Sequence, residues 1–197
     1  MGNRLTGPLM TDTMSYNAGN QQLNINATQF VYDFNGNRTQ KIEGGITTTY
    51  TYDDENRLVQ VTKGSDSITY AYDPFGRRIT KMVNGVITRF VYDQNEILAA
   101  YDAAGNVTAR YAHGLNIDEH LAVQQGSTTS FYHTDGLGSI VALTNSSGSV
   151  VQTYSYDSFG NVTSTGAINQ PYAYTGREYD PETGLYFYRA RYYDPKA

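Results

Sequence analysis

The chain has 197 residues, a formal net charge of −5, no Cys and no Trp, but 19 Tyr and 19 Gly. The lack of Cys excludes a disulfide framework and thiolate metal sites. The acidic balance argues against a nucleic-acid-binding protein, which normally carries a basic face. No stretch is long and apolar enough to predict a membrane-spanning segment, and the N-terminus lacks a basic-then-apolar signal pattern. Abundant Tyr and Gly favour strands and turns around an aromatic core.

A tyrosine–aspartate turn motif recurs every 20 residues in the first half of the chain. It occupies residues 32–38, 52–57 and 72–78, and Tyr92 continues the same step. Degenerate copies begin at Tyr16, Tyr101 and Tyr156. A fixed period of this length predicts one supersecondary unit stacked many times, with each copy burying the apolar face of its neighbour.

Each repeat has the pattern of two strands and two turns. An aromatic residue stands two positions before most repeat tyrosines, which places both rings on one face of a strand. The Asp that follows favours a tight turn. A Gly three residues later, or Asn56 in one copy, suits a backbone with positive φ. The aromatic-x-Tyr triplets start at Phe30, Tyr50, Tyr70, Phe90, Tyr154 and Tyr172.

The second half of one period shows how the repeats connect. Residues 78–83 form a second strand, and Asn84-Gly85 is typical of a two-residue hairpin turn that leads back to the next tyrosine. The sequence therefore predicts an all-β fold, an antiparallel β-meander of ~20-residue repeats.

The recurring charged residues are interpreted as structural. Asp33, Asp53, Asp73, Asp102 and Asp157 recur because each turn needs one, whereas a general acid or base would be singular. Arg38, Arg57 and Arg78 are expected to lie across neighbouring tyrosine rings or to pair with the acidic turns.

After about Gly126 the 20-residue step lapses, and glycine-centred stretches follow at residues 131–139, 156–160 and 174–195. The first array resembles YD (tyrosine–aspartate) repeats. The last two stretches are similar to the RHS repeat-associated core domain of bacterial polymorphic toxins and insecticidal toxin-complex proteins. The resemblance implies a continuous β-sheet that spirals into a hollow shell, with the core domain near its closing end and a variable toxin after it. It divides the chain into repeats at 1–125 and a core region at 126–197.

One departure from the family concerns its self-cleavage. In the family, the Arg-Tyr-Tyr-Asp-Pro stretch continues into a segment where an aspartate-dependent cut releases the toxin. This sequence ends at Ala197, shortly after Asp194-Pro195, and its first residues match the second half of a repeat. We therefore expect a piece of a longer protein, and we assign no catalytic role to Asp180 or Asp194.

Other candidate signals have simpler explanations. His113, His120 and His133 match no standard metal-ligand spacing, even with Asp118 and Glu119 nearby, so no metal site is predicted. The glycine-rich residues 136–139 lack the Lys and helix of a phosphate-binding loop and predict a tight turn. Residues 115–123 are the one candidate for a short helix.

Two functions remain open from the sequence. The first is a non-enzymatic structural segment of a shell, secreted or at the bacterial surface, that encloses or presents a C-terminal toxin or effector. Its partners would be that effector, neighbouring repeats and, through exposed strand edges, other copies; no cofactor is expected. The alternative is an adhesion module whose Tyr-rich face binds carbohydrate at a cell surface.

Overall fold

The computed structural model describes residues 12–197, which form strands, turns and one 3-10 turn at Tyr174–Gly176. Within these residues no helix is long and apolar enough to cross a membrane. The strands are β1 (Met14–Tyr16), β2 (Gln22–Ile25), β3 (Thr28–Tyr32), β4 (Arg38–Glu43), β5 (Ile46–Tyr52), β6 (Leu58–Lys63), β7 (Asp66–Tyr72), β8 (Arg78–Val83), β9 (Val86–Asp93), β10 (Glu96–Tyr101), β11 (Val107–His113), β12 (His120–Gln125), β13 (Thr128–Thr134), β14 (Ile140–Asn145), β15 (Val150–Tyr156), β16 (Val162–Thr165), β17 (Glu178–Asp180), β18 (Leu185–Tyr188) and β19 (Arg191–Tyr193).

The strands pair strictly in chain order. β1 to β16 form one sixteen-stranded antiparallel sheet, and β17 to β19 form a separate three-stranded sheet. The predicted all-β meander is confirmed. The large sheet continues from β12 to β13 across the predicted boundary at residues 125/126, so the division into two regions stays a prediction from sequence.

The tyrosine–aspartate motifs form the predicted turns. Oδ1 of Asp73 accepts hydrogen bonds from the backbone amides of Phe75 (2.9 Å) and Arg77 (3.0 Å), and Gly76 has φ +80°. In the preceding repeat Asn56 takes the glycine position at φ 60°. Equivalent hydrogen bonds, donated by backbone amides to the aspartate Oδ1, hold the turns that begin at Asp33, Asp53, Asp102, Asp135 and Asp157.

Three successive repeat tyrosines also bind the repeat before them. In each of the three, the hydroxyl donates to the backbone carbonyl of the residue 14 positions earlier, which is the first residue of a strand. These bonds run from Tyr52 to Arg38 (3.1 Å), from Tyr72 to Leu58 (2.7 Å) and from Tyr92 to Arg78 (3.0 Å). The tyrosine ring therefore packs against the sheet, while its hydroxyl forms a hydrogen bond with the neighbouring repeat.

Arginines link successive tyrosine–aspartate turns at one end of the strands. Arg57 pairs with Asp53 of its own turn (2.7 Å) and donates to the carbonyl of Asp73 in the next (3.3 Å). Arg77 does the same between Asp73 (2.6 Å) and the carbonyl of Gln94 (2.8 Å). These contacts are partly exposed, so each contributes little by itself, but they repeat.

Two local expectations are wrong. The helix predicted at residues 115–123 is absent: His120 starts β12 and pairs with His113 across a hairpin, and Asp118 has φ 59° in the loop. The triplet at residues 172–174 is not a strand either. Tyr172 makes only an isolated bridge to Glu178, and the chain then enters the 3-10 turn, where Thr175 has φ 50°.

The large sheet is strongly curved. Tyr193 donates through its hydroxyl to the carbonyl of Phe159 (2.8 Å) in the β15–β16 turn, and the adjacent Asp194 pairs with Arg38 (2.9 Å) on β4. In a flat sheet β4 and β15 would lie about 53 Å apart, at about 4.8 Å per strand. The sheet therefore curls around the C-terminal segment, residues 171–195. We call the enclosed side, which buries Tyr50, Tyr70, Tyr111 and Tyr132, the inner face.

We predict that Gly76→Val lowers the free energy of unfolding by about 2 kcal/mol or more. No atom lies within 4 Å of the position of an added Cβ, so the cost is backbone strain at φ +80° and not a clash. Gly76→Asn is the matched control, because Asn56 adopts the same conformation one repeat earlier. Urea unfolding should place the Asn variant close to the parent, and equal losses for both variants would contradict the explanation.

We also predict edge-to-edge self-association. Among the described strands, β16 has a hydrogen-bonded neighbour on one side only, and an open edge pairs with other chains. Sedimentation velocity at rising protein concentration should show a growing oligomer, which Ser164→Lys on β16 should reduce. A strictly monomeric protein whose β16 amides exchange freely with solvent would contradict this prediction.

Candidate functional site on the inner face

The inner face carries a charged cluster at its centre, where the C-terminal segment docks. Arg78, at the start of β8, is 1% exposed. Its guanidinium donates to Asp180 (2.5 Å) and to Glu178 (2.6 Å), both on β17. Lys81, three residues along β8, reaches the other oxygen of Asp180 (2.7 Å). A buried cation this far from water needs paired carboxylates, and here they come from about 100 residues away in the chain.

The two carboxylates respond differently to this environment. Burial would raise the pKa of Asp180, but the charges of Arg78 and Lys81 outweigh it and hold that pKa below its ordinary value. Burial also raises the pKa of Glu178, and the nearby charge of Arg78 offsets this rise only in part, so the pKa stays above its ordinary value. Asp180 is therefore the firmly ionised partner of the cluster.

Aromatic rings enclose the cluster from both layers. The Arg78 guanidinium lies 5.2 Å from the ring centroid of Tyr70 and 4.7 Å from that of Phe187 on β18. The Tyr70 hydroxyl hydrogen-bonds Asp180 (3.1 Å). The predicted stacking of arginines on tyrosines is confirmed, and the rings seal the ion pairs from solvent.

A second charged contact holds the C-terminal segment to the sheet as the Arg78–Asp180 cluster does, and we call both of them anchors. Asp194, just after β19, accepts from Arg38 (2.9 Å) and Lys41 (3.4 Å) on β4. The Arg38 guanidinium lies 4.8 Å from the ring centroid of Tyr50. Burial works against the ionised form of Asp194, but these two cations lower its pKa overall.

These anchors follow a pattern that the sequence analysis missed. At matching positions of three successive repeats the chain has Arg-x-x-Lys, Leu-x-x-Val and Arg-x-x-Lys, and Leu58 and Val61 pack with Leu185 of the C-terminal segment. The two Tyr-Asp-Pro motifs of the C-terminal segment, at residues 179–181 and 193–195, supply one aspartate to each charged pair. In the sequence this pattern shows as an Arg-x-x-Lys pair that occurs in every second repeat and is replaced by two apolar residues in the repeat between.

A third contact region brings two of the three histidines together. His113 and His120 face each other across the β11–β12 hairpin, with Nδ1 atoms 3.1 Å apart, and Glu96 of β10 lies beside them. The His120 ring stacks on Tyr172 at 3.6 Å between centroids and bonds the carbonyl of Gly176 (2.8 Å). Burial lowers the pKa of His120 to about 3, so this ring is neutral at neutral pH.

The other candidate residues have separate roles. Asp118 pairs with Arg177 (2.5 Å) and Arg189 (2.8 Å) of the C-terminal segment. Glu119 accepts from Asn116 within its own loop. His133 is exposed on β13 and bonds Thr144 (2.9 Å). The glycine-rich residues 136–139 form the predicted tight turn, held by Asp135.

We predict that Asp180→Asn lowers the free energy of unfolding by about 3–5 kcal/mol, because it leaves the buried Arg78 without its main counter-charge. The control is Asp102→Asn in an exposed turn, where an Asn can serve, as Asn145 does in the β14–β15 turn. Its expected cost is much smaller than that of Asp180→Asn, because the Asp102 carboxylate is exposed to water. Equal losses in urea unfolding would show that the buried charge is not the cause.

The depressed pKa of Asp180 and Asp194 also predicts acid sensitivity. Their stabilisation is present above the ordinary carboxyl pKa of 3.8 and is lost as pH falls through their lower folded values. Glu178 acts in the opposite sense at higher pH because its pKa is raised. The stability of the parent should therefore fall steeply below about pH 4, and the Asp180→Asn variant should show a shallower fall over the same range.

Comparisons with known proteins give the same architecture. A family model described as Teneurin YD-shell matches residues 2–197. The tRNA3(Ser)-specific nuclease WapA of Bacillus spizizenii is 40% identical over 210 residues, which cover 99% of this chain and 9% of that protein. The double-stranded DNA deaminase toxin A of Burkholderia cenocepacia is 26% identical over 91% of this chain and 15% of its own length. The chain thus spans less than a tenth of the WapA relative.

Solved structures agree on the fold. The structure of the Photorhabdus luminescens Tc holotoxin pore matches with a TM-score of 0.65 at 20% identity, over 93% of this chain and 11% of that one. The crystal structure of TcdB2-TccC3 matches with a TM-score of 0.60 at 19% identity, over 93% and 12%. With the family model spanning almost every residue, the chain belongs to the Teneurin YD-shell family, as its tyrosine–aspartate repeats and RHS-like C-terminal stretch indicate.

Proposed function

We propose that this chain is a non-enzymatic structural segment of a longer secreted or surface YD-repeat protein, and that it encloses or presents a C-terminal effector. One observation carries the proposal. Ala197 lines an inner-face cavity of about 760 Å³ together with Tyr50, Tyr52 and Tyr72. A polypeptide that continued from this point in a parent protein would start on the enclosed side of the curved sheet.

The names of the relatives support an effector of variable chemistry. One relative is called a tRNA nuclease and another a double-stranded DNA deaminase toxin, yet both share this segment. The segment covers 9% and 15% of those proteins, so we assign their activities to other parts of their chains. A shared wall with different effectors accounts for the common sequence.

The carbohydrate-binding alternative has less support in the fold. Sugar recognition would need accessible aromatic rings, whereas Tyr50, Tyr70 and Tyr172 are each no more than 6% exposed. The C-terminal segment covers the face that this alternative would use.

The test uses the parent protein with its native downstream domain. Limited proteolysis should digest that domain slowly in the parent and several-fold faster in an Arg78→Ala variant, which loses the anchor of the C-terminal segment. Arg110→Ala, at an exposed position on β11, is the control and should behave like the parent. Equal digestion of the domain alone and within the parent would overturn the proposal.

We predict that the purified chain keeps its full mass of 21.9 kDa for days at neutral pH. Asp180 and Asp194 are each held by two cations, and the proposal gives them structural roles only. Intact-mass spectrometry provides the measurement. A discrete internal cut that Asp180→Asn or Asp194→Asn abolishes would show that a protease site lies within these residues.

A further inference from the structure

The histidine pair under the C-terminal segment has an electrostatic conflict. Nε2 of His113 lies 2.8 Å from the carbonyl oxygen of Ile97, and Nε2 of His120 lies 2.8 Å from that of Gly176. A carbonyl oxygen can only accept, so both Nε2 atoms carry the hydrogen. Each neutral ring then has a bare lone pair on Nδ1, and these two lone pairs point at each other across 3.1 Å. Something positive has to lie between them.

A proton shared by the two Nδ1 atoms would bridge the imidazoles but would not bind the nearby Glu96 carboxylate. Oε2 of Glu96 lies 3.6 Å from Nδ1 of His113, beyond hydrogen-bond length. Its other oxygen is already bound by Arg189 (3.1 Å). Glu96 thus presents a free carboxylate oxygen to the same point in space as the two imidazoles.

The spacing of the three donor atoms suits a metal ion. Nδ1 of His113, Nδ1 of His120 and a carboxylate oxygen of Glu96 all lie within 4.8 Å of one another. Ligands on a tetrahedral Zn²⁺ at about 2.0–2.1 Å are about 3.3–3.4 Å apart. Two of the three separations, 3.1 Å between the imidazoles and 3.6 Å between His113 and Glu96, fall on either side of that value, and the third is at most 4.8 Å.

The surroundings match those of metal-binding histidines. Such histidines almost always donate the second ring N–H to a carbonyl or carboxylate, which fixes the tautomer, and both rings do so here. Glu96 lines a cavity of about 340 Å³ that Gly176 and Arg189 also line, so the cluster is open to this cavity on its carboxylate side, where water can supply a fourth ligand.

We propose that Glu96, His113 and His120 form a binding site for a divalent transition-metal ion, Zn²⁺ in the first instance. Two imidazoles and one carboxylate are a donor set typical of Zn²⁺. The hard cations Mg²⁺ and Ca²⁺ prefer sets made of oxygen atoms alone, so this site disfavours them. The inference is independent of the shell function, since it rests on these three side chains and their partners. It also revises the expectation, from spacing alone, of no metal site.

The ion would fasten the C-terminal segment to the sheet. The ligands lie on β10, β11 and β12, while the carbonyl that accepts from His120 and the ring that stacks on it belong to Gly176 and Tyr172. A cation on Nδ1 makes the opposite N–H a stronger donor, so metal binding strengthens the bond to the C-terminal segment. Metal binding and docking are therefore coupled.

The test uses the full chain without a histidine tag, stripped with a chelator. Titration calorimetry with Zn²⁺ and absorption spectra with Co²⁺ should show one ion per chain, with tetrahedral Co²⁺ bands. Glu96→Gln should weaken Zn²⁺ binding about tenfold or more, and His113→Ala at least about 100-fold, beyond the 10–100-fold typical of outer-shell changes. His133→Ala is the matched control, because that exposed histidine lies outside the cluster and should leave binding unchanged.

A thermal unfolding series keeps the proposal testable if a variant is destabilised. Added Zn²⁺ should raise the melting temperature of the parent and of His133→Ala, but not of Glu96→Gln or His113→Ala. Two outcomes would overturn the site: equal Zn²⁺ binding by the parent and His113→Ala, or a persistent imidazole Nδ1–H resonance by NMR in the parent with excess Zn²⁺. The second outcome would show that a proton, and not a metal, joins the rings.

Discussion

The buried pairing of Arg78 with Asp180 is the interaction on which the remaining structure depends. The guanidinium is buried on the inner face among aromatic rings, where an uncompensated charge would cost several kcal/mol. Among the described residues of the large sheet, none pairs a carboxylate with Arg78, so this face is stable only when the C-terminal segment brings Asp180 and Glu178 to it. The ion pair therefore acts less as a net source of stability than as a condition: the sheet and the segment must fold against each other.

Local contacts hold neighbouring repeats together, whereas non-local contacts fix where the C-terminal segment binds. The aspartate turns, the tyrosine hydroxyl bonds and the arginines at the strand ends join each repeat to the next, so they can be copied without regard to position. The charged anchors occur at residues 38–41 and 78–81 but not at 58–61. That alternation gives the C-terminal segment a unique register on an otherwise repetitive surface, because only one placement puts Asp180 and Asp194 on cations and Leu185 on Leu58.

The same division explains what the sequence could predict. Strands, turns and the positive φ at Gly76 and Asn56 follow from chemistry within a few residues, and the prediction of them is confirmed. The helix expected near His120 and the strand expected at Tyr172 are wrong because long-range pairing decides both segments: His120 pairs with His113, and Tyr172 stacks on His120. The meeting of Glu96 with the histidines depends on the register of three strands, which residue spacing does not reveal.

Curvature follows from the same contacts. Adjacent residues at the end of β19 reach both β4 and the β15–β16 turn, so the C-terminal segment joins parts of the sheet that would be far apart in a flat one. A sheet held in this way encloses its tyrosine face and gives the segment a second layer of rings to pack against, including Tyr72 with Phe187 and Tyr70 with Tyr192. Since those rings carry hydroxyls that need partners, the interior can be aromatic and polar together, and its hydrogen bonds specify one arrangement where aliphatic packing alone would permit several.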